Sequence, residues 1–171
     1  MKIVDKFLPD ALYKEVMMYA VRDNSWIEVD KNGASSKYEK PLLPGLLVKI
    51  KDAYTQHVDN MAEFGVDPEF FSAGVVKCES GYAYPSHVDS PSKVISAVVY
   101  LSPLKGNATL FSELPSPEWE CNRLVAWKNE GQCKHNYYNN KDLDRYTLNI
   151  YQTSKEVSYV VETSRDRYIK K

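Results

Sequence analysis

The stretch FFSAGVVKCESGYAYPSHVDSPSKVISAVVYL, Phe70–Leu101, decides the fold class. Its apolar and aromatic residues recur with a period of two, and Ser80-Gly81 and Ser90-Pro91-Ser92 break the pattern with turn residues. That combination predicts strands at Ser72–Glu79, Tyr82–Val88 and Val94–Leu101. The same pattern runs on toward the C-terminus. Turn residues at Gly106-Asn107, Pro115–Pro117, Asn129–Gly131 and Asn139-Asn140 separate further runs rich in Val, Tyr, Thr and Phe. These predict strands at Thr109–Ser112, Arg123–Lys128, Gln132–Tyr138, Arg145–Thr153 and Val157–Thr163. Many short strands at regular spacing argue for a sandwich or barrel.

Upstream of Phe70 the period lengthens. Leu12, Val16, Met17 and Ala20 fall on one helical stripe, with Pro9-Asp10 as its start. A second helix is predicted from Leu46 to Glu63, turning Leu47, Ile50, Ala53, Tyr54, Val58 and Met61 inward and closed by Gly65. Between the two, Glu28–Gly45 is rich in Lys, Gly, Ser and Pro and reads as a loop, with Lys37-Tyr38-Glu39-Lys40 solvated. Helices followed by strands make the chain α+β. Its 171 residues fit one domain, residues 1–66 a mainly helical support and residues 67–171 the β core.

Hydrophobic residues make up 43% and charged residues 26%, with a net charge of −1 and no cluster of Lys or Arg. A soluble globule has this composition, and nucleic acid, which favours a basic stripe, is not an expected partner. Runs such as Val94–Leu101 are too short to span a bilayer, and Lys2, Asp5 and Lys6 interrupt any N-terminal signal core. A cytoplasmic protein with no membrane partner is expected. Cys78, Cys121 and Cys133 cannot all pair within one chain, and none has zinc-ligand spacing. They read as reduced structural thiols, with a Cys121–Cys133 bridge as the alternative.

Two of the three histidines fall at informative places, whereas His57 sits on the second helix as a structural or solvent-facing residue. His87-Val88-Asp89 lies at a strand end, where positions i and i+2 share a face and can converge on one ion. His135 lies on another predicted strand that a folded sheet can bring opposite. Two imidazoles and one carboxylate are the ligand set of non-haem Fe(II) oxygenases, which leave positions for O2 and a co-substrate. Alone, H-x-D also fits a surface histidine beside a solvated aspartate. Ten residues beyond His135, Arg145 and Thr147 share a strand face, a donor fork beside a hydroxyl that suits a carboxylate. An exposed strand arginine is the plainer alternative.

The segment CESGYAYPSHVD, Cys78–Asp89, followed by VISAVVYLSPLKGNATLF, NRLVAW, His135 and RYTLNIY, resembles the double-stranded β-helix (jelly-roll, cupin-like) core of prolyl 4-hydroxylase-like Fe(II)/2-oxoglutarate-dependent oxygenases. The resemblance covers roughly residues 70–152. It implies that His87, Asp89 and His135 bind Fe(II), and that N-terminal helices pack on one sheet of the core. It implies that Arg145, Thr147 and Tyr84 grip the distal carboxylate of 2-oxoglutarate, and that Ser96 reaches the co-substrate directly or through water. GNATLF resembles the family's G-G-x-T-x-F turn, though Asn107 replaces its second glycine. Cys78 stands where many relatives carry a tyrosine. Asp89 is intact, unlike in the related halogenases, which argues against halogenation.

The implied reaction consumes O2 and 2-oxoglutarate, releases succinate and CO2, and hydroxylates an unactivated C–H bond, with ascorbate as a possible reductant. The implied substrate is a peptidyl-prolyl or other amino-acid side chain, or alternatively a small molecule such as a free amino acid, nucleotide or metabolite. Glu28–Gly45 and Ser90–Lys93 are candidate lids over the mouth. Two other classes remain in view: a cupin-like metal enzyme without 2-oxoglutarate, and a non-catalytic binding module.

Overall fold

The computed structural model describes residues 1–22, 25–103, 105–130, 133–139 and 142–154, so the predicted strand Val157–Thr163 lies outside the described residues. A short strand β1 (Lys2–Val4) leads into helix α1 (Asp10–Val21). The hairpin β2 (Ile27–Asn32) and β3 (Ser35–Pro41) precedes helices α2 (Pro44–His57) and α3 (Asn60–Phe64). Then come β4 (Phe70–Cys78), β5 (Ala83–His87), β6 (Lys93–Ser102), β7 (Leu110–Phe111), β8 (Leu124–Lys128), β9 (His135–Tyr138) and β10 (Arg145–Thr153).

Two sheets result. The larger has the order β1-β8-β6-β10-β4-β3-β2 and the smaller β5-β9-β7. Strand alternation sets what each face of the larger sheet does. On β10, Leu148 and Ile150 point into an apolar core shared with Val16 and Ala20 of α1 and Ile50 and Tyr54 of α2. The predicted helices therefore cover one face of the larger sheet, as expected. Arg145, Thr147, Asn149 and Tyr151 alternate onto the other face. There Val98, Tyr100 and Trp127 of the larger sheet pack with Phe111 of the smaller one.

Three expectations change. Residues 28–45 are not a loop: β2 and β3 form a hairpin, and β3 extends the larger sheet by pairing with β4, Lys37 opposite Cys78. The inward positions of β3 are charged rather than apolar, so the strand lacks the alternation that sequence reading relies on. Lys37, Glu39 and Lys40, expected to be solvated, are all buried. The second helix is broken at Val58-Asp59, where the Asp59 carboxylate accepts from the Ala62 N–H at 3.0 Å and caps a new helix. The break turns Met61 outward, 59% exposed, whereas Gly65 closes the chain segment as anticipated, with φ of 66°.

No helix among the described residues is long and apolar enough to cross a membrane. All three cysteines are free.

Candidate active site

Antiparallel pairing of β5 with β9 sets His87 opposite His135, with ring centroids 4.3 Å apart. Just beyond the end of β5, Asp89 turns its carboxylate between them. Its Oδ1 lies 3.9 Å from His87 Nε2 and its Oδ2 lies 3.9 Å from His135 Nε2. Ligand atoms of all three residues lie within 4.8 Å of one another, and all three residues are buried. Each histidine has Nδ1 against a backbone carbonyl, Pro85 O at 3.0 Å and Cys133 O at 2.8 Å. A carbonyl only accepts, so Nδ1 carries the hydrogen and Nε2 presents its lone pair to the centre of the trio.

The electrostatics favour the ligating protonation states of His87 and Asp89. Burial pushes the His87 pKa down to about 3, an effect that neighbouring His135 reinforces, so His87 is neutral. Burial alone would raise the Asp89 carboxyl, but Lys93, the two imidazoles and Ser96 hold it below the usual carboxylate range. Lys93 Nζ lies 3.2 Å from Oδ1, and Ser96 donates to Oδ2 at 2.7 Å. Two imidazoles, that of His87 held neutral, and one ionised carboxylate fit a divalent transition metal such as Fe(II).

A second feature shares the same small cavity, of about 40 Å³. Arg145 begins β10 and is 2% exposed, its Nε donating to Asn107 O at 3.0 Å. Its guanidinium carbon lies 4.4 Å from the Tyr137 ring centroid and 5.3 Å from Trp119. Nη2 is buried with no hydrogen-bond partner. A buried cationic donor left open is costly in free energy, and an anion beside it removes that cost. Gly106 makes the wall possible, since a Cβ there would lie 2.5 Å from the Trp119 indole, which stacks on Tyr100.

The remaining predicted residues land as follows. Thr147 is on the cavity-side face, and its hydroxyl donates to Asn149 Oδ1 at 2.8 Å. Ser96 donates to Asp89 Oδ2 at 2.7 Å and accepts from Asn129 Nδ2 at 2.8 Å. Tyr84 lines the cavity edge-on to His87, ring centroids 4.5 Å apart, and stacks on Tyr137. Among the described tyrosines facing Arg145, Tyr137 is nearer its guanidinium carbon, at 4.4 Å, than Tyr100 at 6.0 Å. Lys37 and Lys93 belong to the two segments expected to flank the mouth, Glu28–Gly45 and Ser90–Lys93, but neither side chain was singled out as a site residue.

Neither the family models nor the curated proteins compared give a match. Solved structures do. The 2-oxoglutarate complex of the viral collagen prolyl hydroxylase of Paramecium bursaria Chlorella virus-1 is 16% identical, with a TM-score of 0.72 over 91% of this chain and 96% of that one. A prolyl-4-hydroxylase of Pseudomonas putida is 16% identical, with a TM-score of 0.68 over 91% of this chain and 92% of that one. A prolyl hydroxylase of Trichoplax adhaerens, solved with a peptide fragment of the hypoxia inducible factor oxygen degradation domain, is 11% identical. Its TM-score is 0.65 over 99% of this chain and 86% of that one. The chain thus has the double-stranded β-helix fold of the structures described as prolyl hydroxylases and 2-oxoglutarate–Fe(II) oxygenases.

Proposed function

We propose that this protein is an Fe(II)- and 2-oxoglutarate-dependent dioxygenase that hydroxylates a C–H bond of an amino-acid side chain, either in a peptide or as the free amino acid. The observation that carries this reading is the open, buried Nη2 of Arg145 in the cavity that also contains the His87–Asp89–His135 trio. A metal-binding barrel has no use for a buried, unsatisfied guanidinium. A dicarboxylate whose other end chelates the metal supplies the missing partner.

His87 Nε2, His135 Nε2 and one oxygen of Asp89 would hold the ion, leaving its other positions to the keto acid and O2. The loaded metal would supply the oxidative chemistry that converts 2-oxoglutarate to succinate and CO2 and delivers a hydroxyl to the substrate. Arg145 sets the register of the co-substrate through its distal carboxylate, and Tyr137 and Trp119 keep water away from that pair. Lys93 and Ser96 fix the orientation of Asp89. The free thiols support the reducing, cytoplasmic setting that the sequence suggests. The peptide in the Trichoplax adhaerens structure supports a peptidyl substrate as one form of this reading.

Adding 2-oxoglutarate to the anaerobic Fe(II) protein tests the proposal. A metal-to-ligand charge-transfer band should appear, and succinate should follow on admitting O2. A colourless, inert mixture would leave a metal-binding barrel and nothing more.

A further inference from the structure

Two buried side-chain nitrogens among the described residues have no hydrogen-bond partner, Nη2 of Arg145 and Nε1 of Trp127. Trp127 lies on β8 and is 4% exposed. An indole N–H only donates, so its partner must be an acceptor. Buried tryptophans usually find one, and leaving the donor open costs free energy. Trp119 follows that rule, donating to Pro103 O at 2.8 Å. The Trp127 ring is held instead by packing, edge-on to Phe111 and His135 with centroids 5.1 and 4.9 Å away.

Strand register places Trp127 at the metal end of the cavity. It stands opposite Ser96 of β6, and Ser96 donates to Asp89, so the indole is on the cavity-side face of the larger sheet. Trp127 packs on His135, whereas the Arg145 guanidinium packs on Tyr137. His135 and Tyr137 are alternate residues of β9 that share a face, about 7 Å apart along the strand. All four residues line the same cavity. The two open donors thus belong to consecutive positions along it, one beside the metal ligands and one at the far end. An extended five-carbon dicarboxylate matches that interval. With its distal carboxylate at Arg145, its keto-acid end reaches the ligand trio. A keto acid chelates through its keto oxygen and one carboxylate oxygen, which leaves the second carboxylate oxygen able to accept from a donor.

We infer that Trp127 is a second residue that binds 2-oxoglutarate, its indole N–H donating to the free oxygen of the metal-side carboxylate, so that one co-substrate molecule satisfies both open donors. This rests on the 2-oxoglutarate reading above. The two residues divide the co-substrate between them. Arg145 reads the distal carboxylate, and Trp127 reads the keto-acid end, which a shorter keto acid such as pyruvate also carries.

The test adds 2-oxoglutarate or pyruvate to the Zn(II)-loaded protein, which binds the acids without turning them over. Calorimetry gives dissociation constants, and magnetic resonance of isotope-labelled protein follows the Trp127 indole N–H, assigned by its contacts with the Phe111 and His135 rings. Both acids should move that resonance downfield and saturably in the parent protein. Trp127→Phe keeps an aromatic wall and removes the donor. It should weaken 2-oxoglutarate and pyruvate by a similar factor of about 10 or more, with Zn(II) affinity unchanged. Arg145→Met should weaken 2-oxoglutarate alone. A Trp127 resonance left unmoved by an acid that calorimetry shows to bind would overturn the inference, and it is read on the parent whether or not Trp127→Phe folds. Parent-like dissociation constants in a folded Trp127→Phe, or a loss confined to 2-oxoglutarate, would overturn it too. Failure of the parent to bind 2-oxoglutarate would instead overturn the reading beneath it.

Discussion

Ser96 on β6 donates its hydroxyl to Asp89 Oδ2 at 2.7 Å, and Asn129 in turn donates to Ser96 at 2.8 Å. The candidate ligand carboxylate is thus oriented by a short polar chain rooted in the larger sheet. Partners of this kind typically change metal affinity by about 10- to 100-fold when removed. Ser96→Ala should weaken Co(II) or Fe(II) binding within that range and leave the circular dichroism spectrum unchanged. Parent-like metal affinity would mean that Lys93 alone suffices to hold Asp89.

Removing a ligand is more severe. His87→Ala or His135→Ala should abolish stoichiometric Fe(II) binding with the fold intact, because the remaining pair lacks one of three donors within 4.8 Å. If both variants retained iron as tightly as the parent, the trio would not be the metal centre.

The metal-free protein should show a pH dependence traceable to His87. Burial, reinforced by His135, pushes its pKa down to about 3, against about 6.5 in an unfolded chain. The unfolded chain therefore takes up the proton first as pH falls. The stability this group contributes is complete above about pH 6.5 and is lost progressively toward pH 3, with a limiting slope of about 1.4 kcal/mol per pH unit. Urea unfolding of chelated protein between about pH 7 and pH 4 should show this slope in the parent and not in His87→Gln. Parallel curves would contradict a buried neutral imidazole.

Most of the β core was legible because its strands are short runs rich in Val, Tyr and Phe, bounded by turn residues and buried at nearly every position of β6 and β8. The Arg145–Thr153 strand matches its predicted bounds. That His87, Asp89 and His135 cluster was only half legible in residue type and strand spacing, which also fit a surface histidine beside a solvated aspartate; the resemblance to the prolyl 4-hydroxylase-like core decided between the two. The β2–β3 hairpin escaped because β2 buries only Val29 and the buried positions of β3, Ser36, Lys37, Glu39 and Lys40, are polar and owe their burial to partners distant in sequence. Ser80 O, for example, accepts from the Ser35 hydroxyl, and the Glu79 carboxylate accepts from the Ser36 N–H. The same holds for Ser96: a strand position can be read from sequence, but the choice between Asp89 and a co-substrate depends on tertiary placement.

Gly106→Ala should act on the anion site at one remove. The added Cβ would meet the Trp119 indole at 2.5–2.8 Å, forcing the ring away from Tyr100 and Arg145. Overpacking of this kind costs about 1–3 kcal/mol. Thermal unfolding should register that loss, and the 2-oxoglutarate dissociation constant should rise. An unchanged constant would mean that Trp119 does not shape the clamp.

Arg145 gives the sharpest separation between a 2-oxoglutarate enzyme and any other metal barrel. Its Nε is committed to Asn107 O at 3.0 Å, and its Nη2 is buried without a partner, so the fork is already oriented and one arm is open. A charge-assisted pair with a carboxylate is typically worth about 1.5–3 kcal/mol, or roughly 10- to 150-fold in affinity. Arg145→Met should weaken 2-oxoglutarate binding by about that factor, read from a charge-transfer titration of the anaerobic Fe(II) protein. Metal affinity should hardly move, because no ligand atom is touched. Arg145→Lys should fall between the two, retaining charge but losing the fork and the Asn107 contact. Thr147→Val should have a smaller effect in the same direction, since Thr147 donates to Asn149, a neutral contact at 2.8 Å. Equal dissociation constants for the parent and Arg145→Met would remove the co-substrate assignment and leave the metal trio to be explained without it.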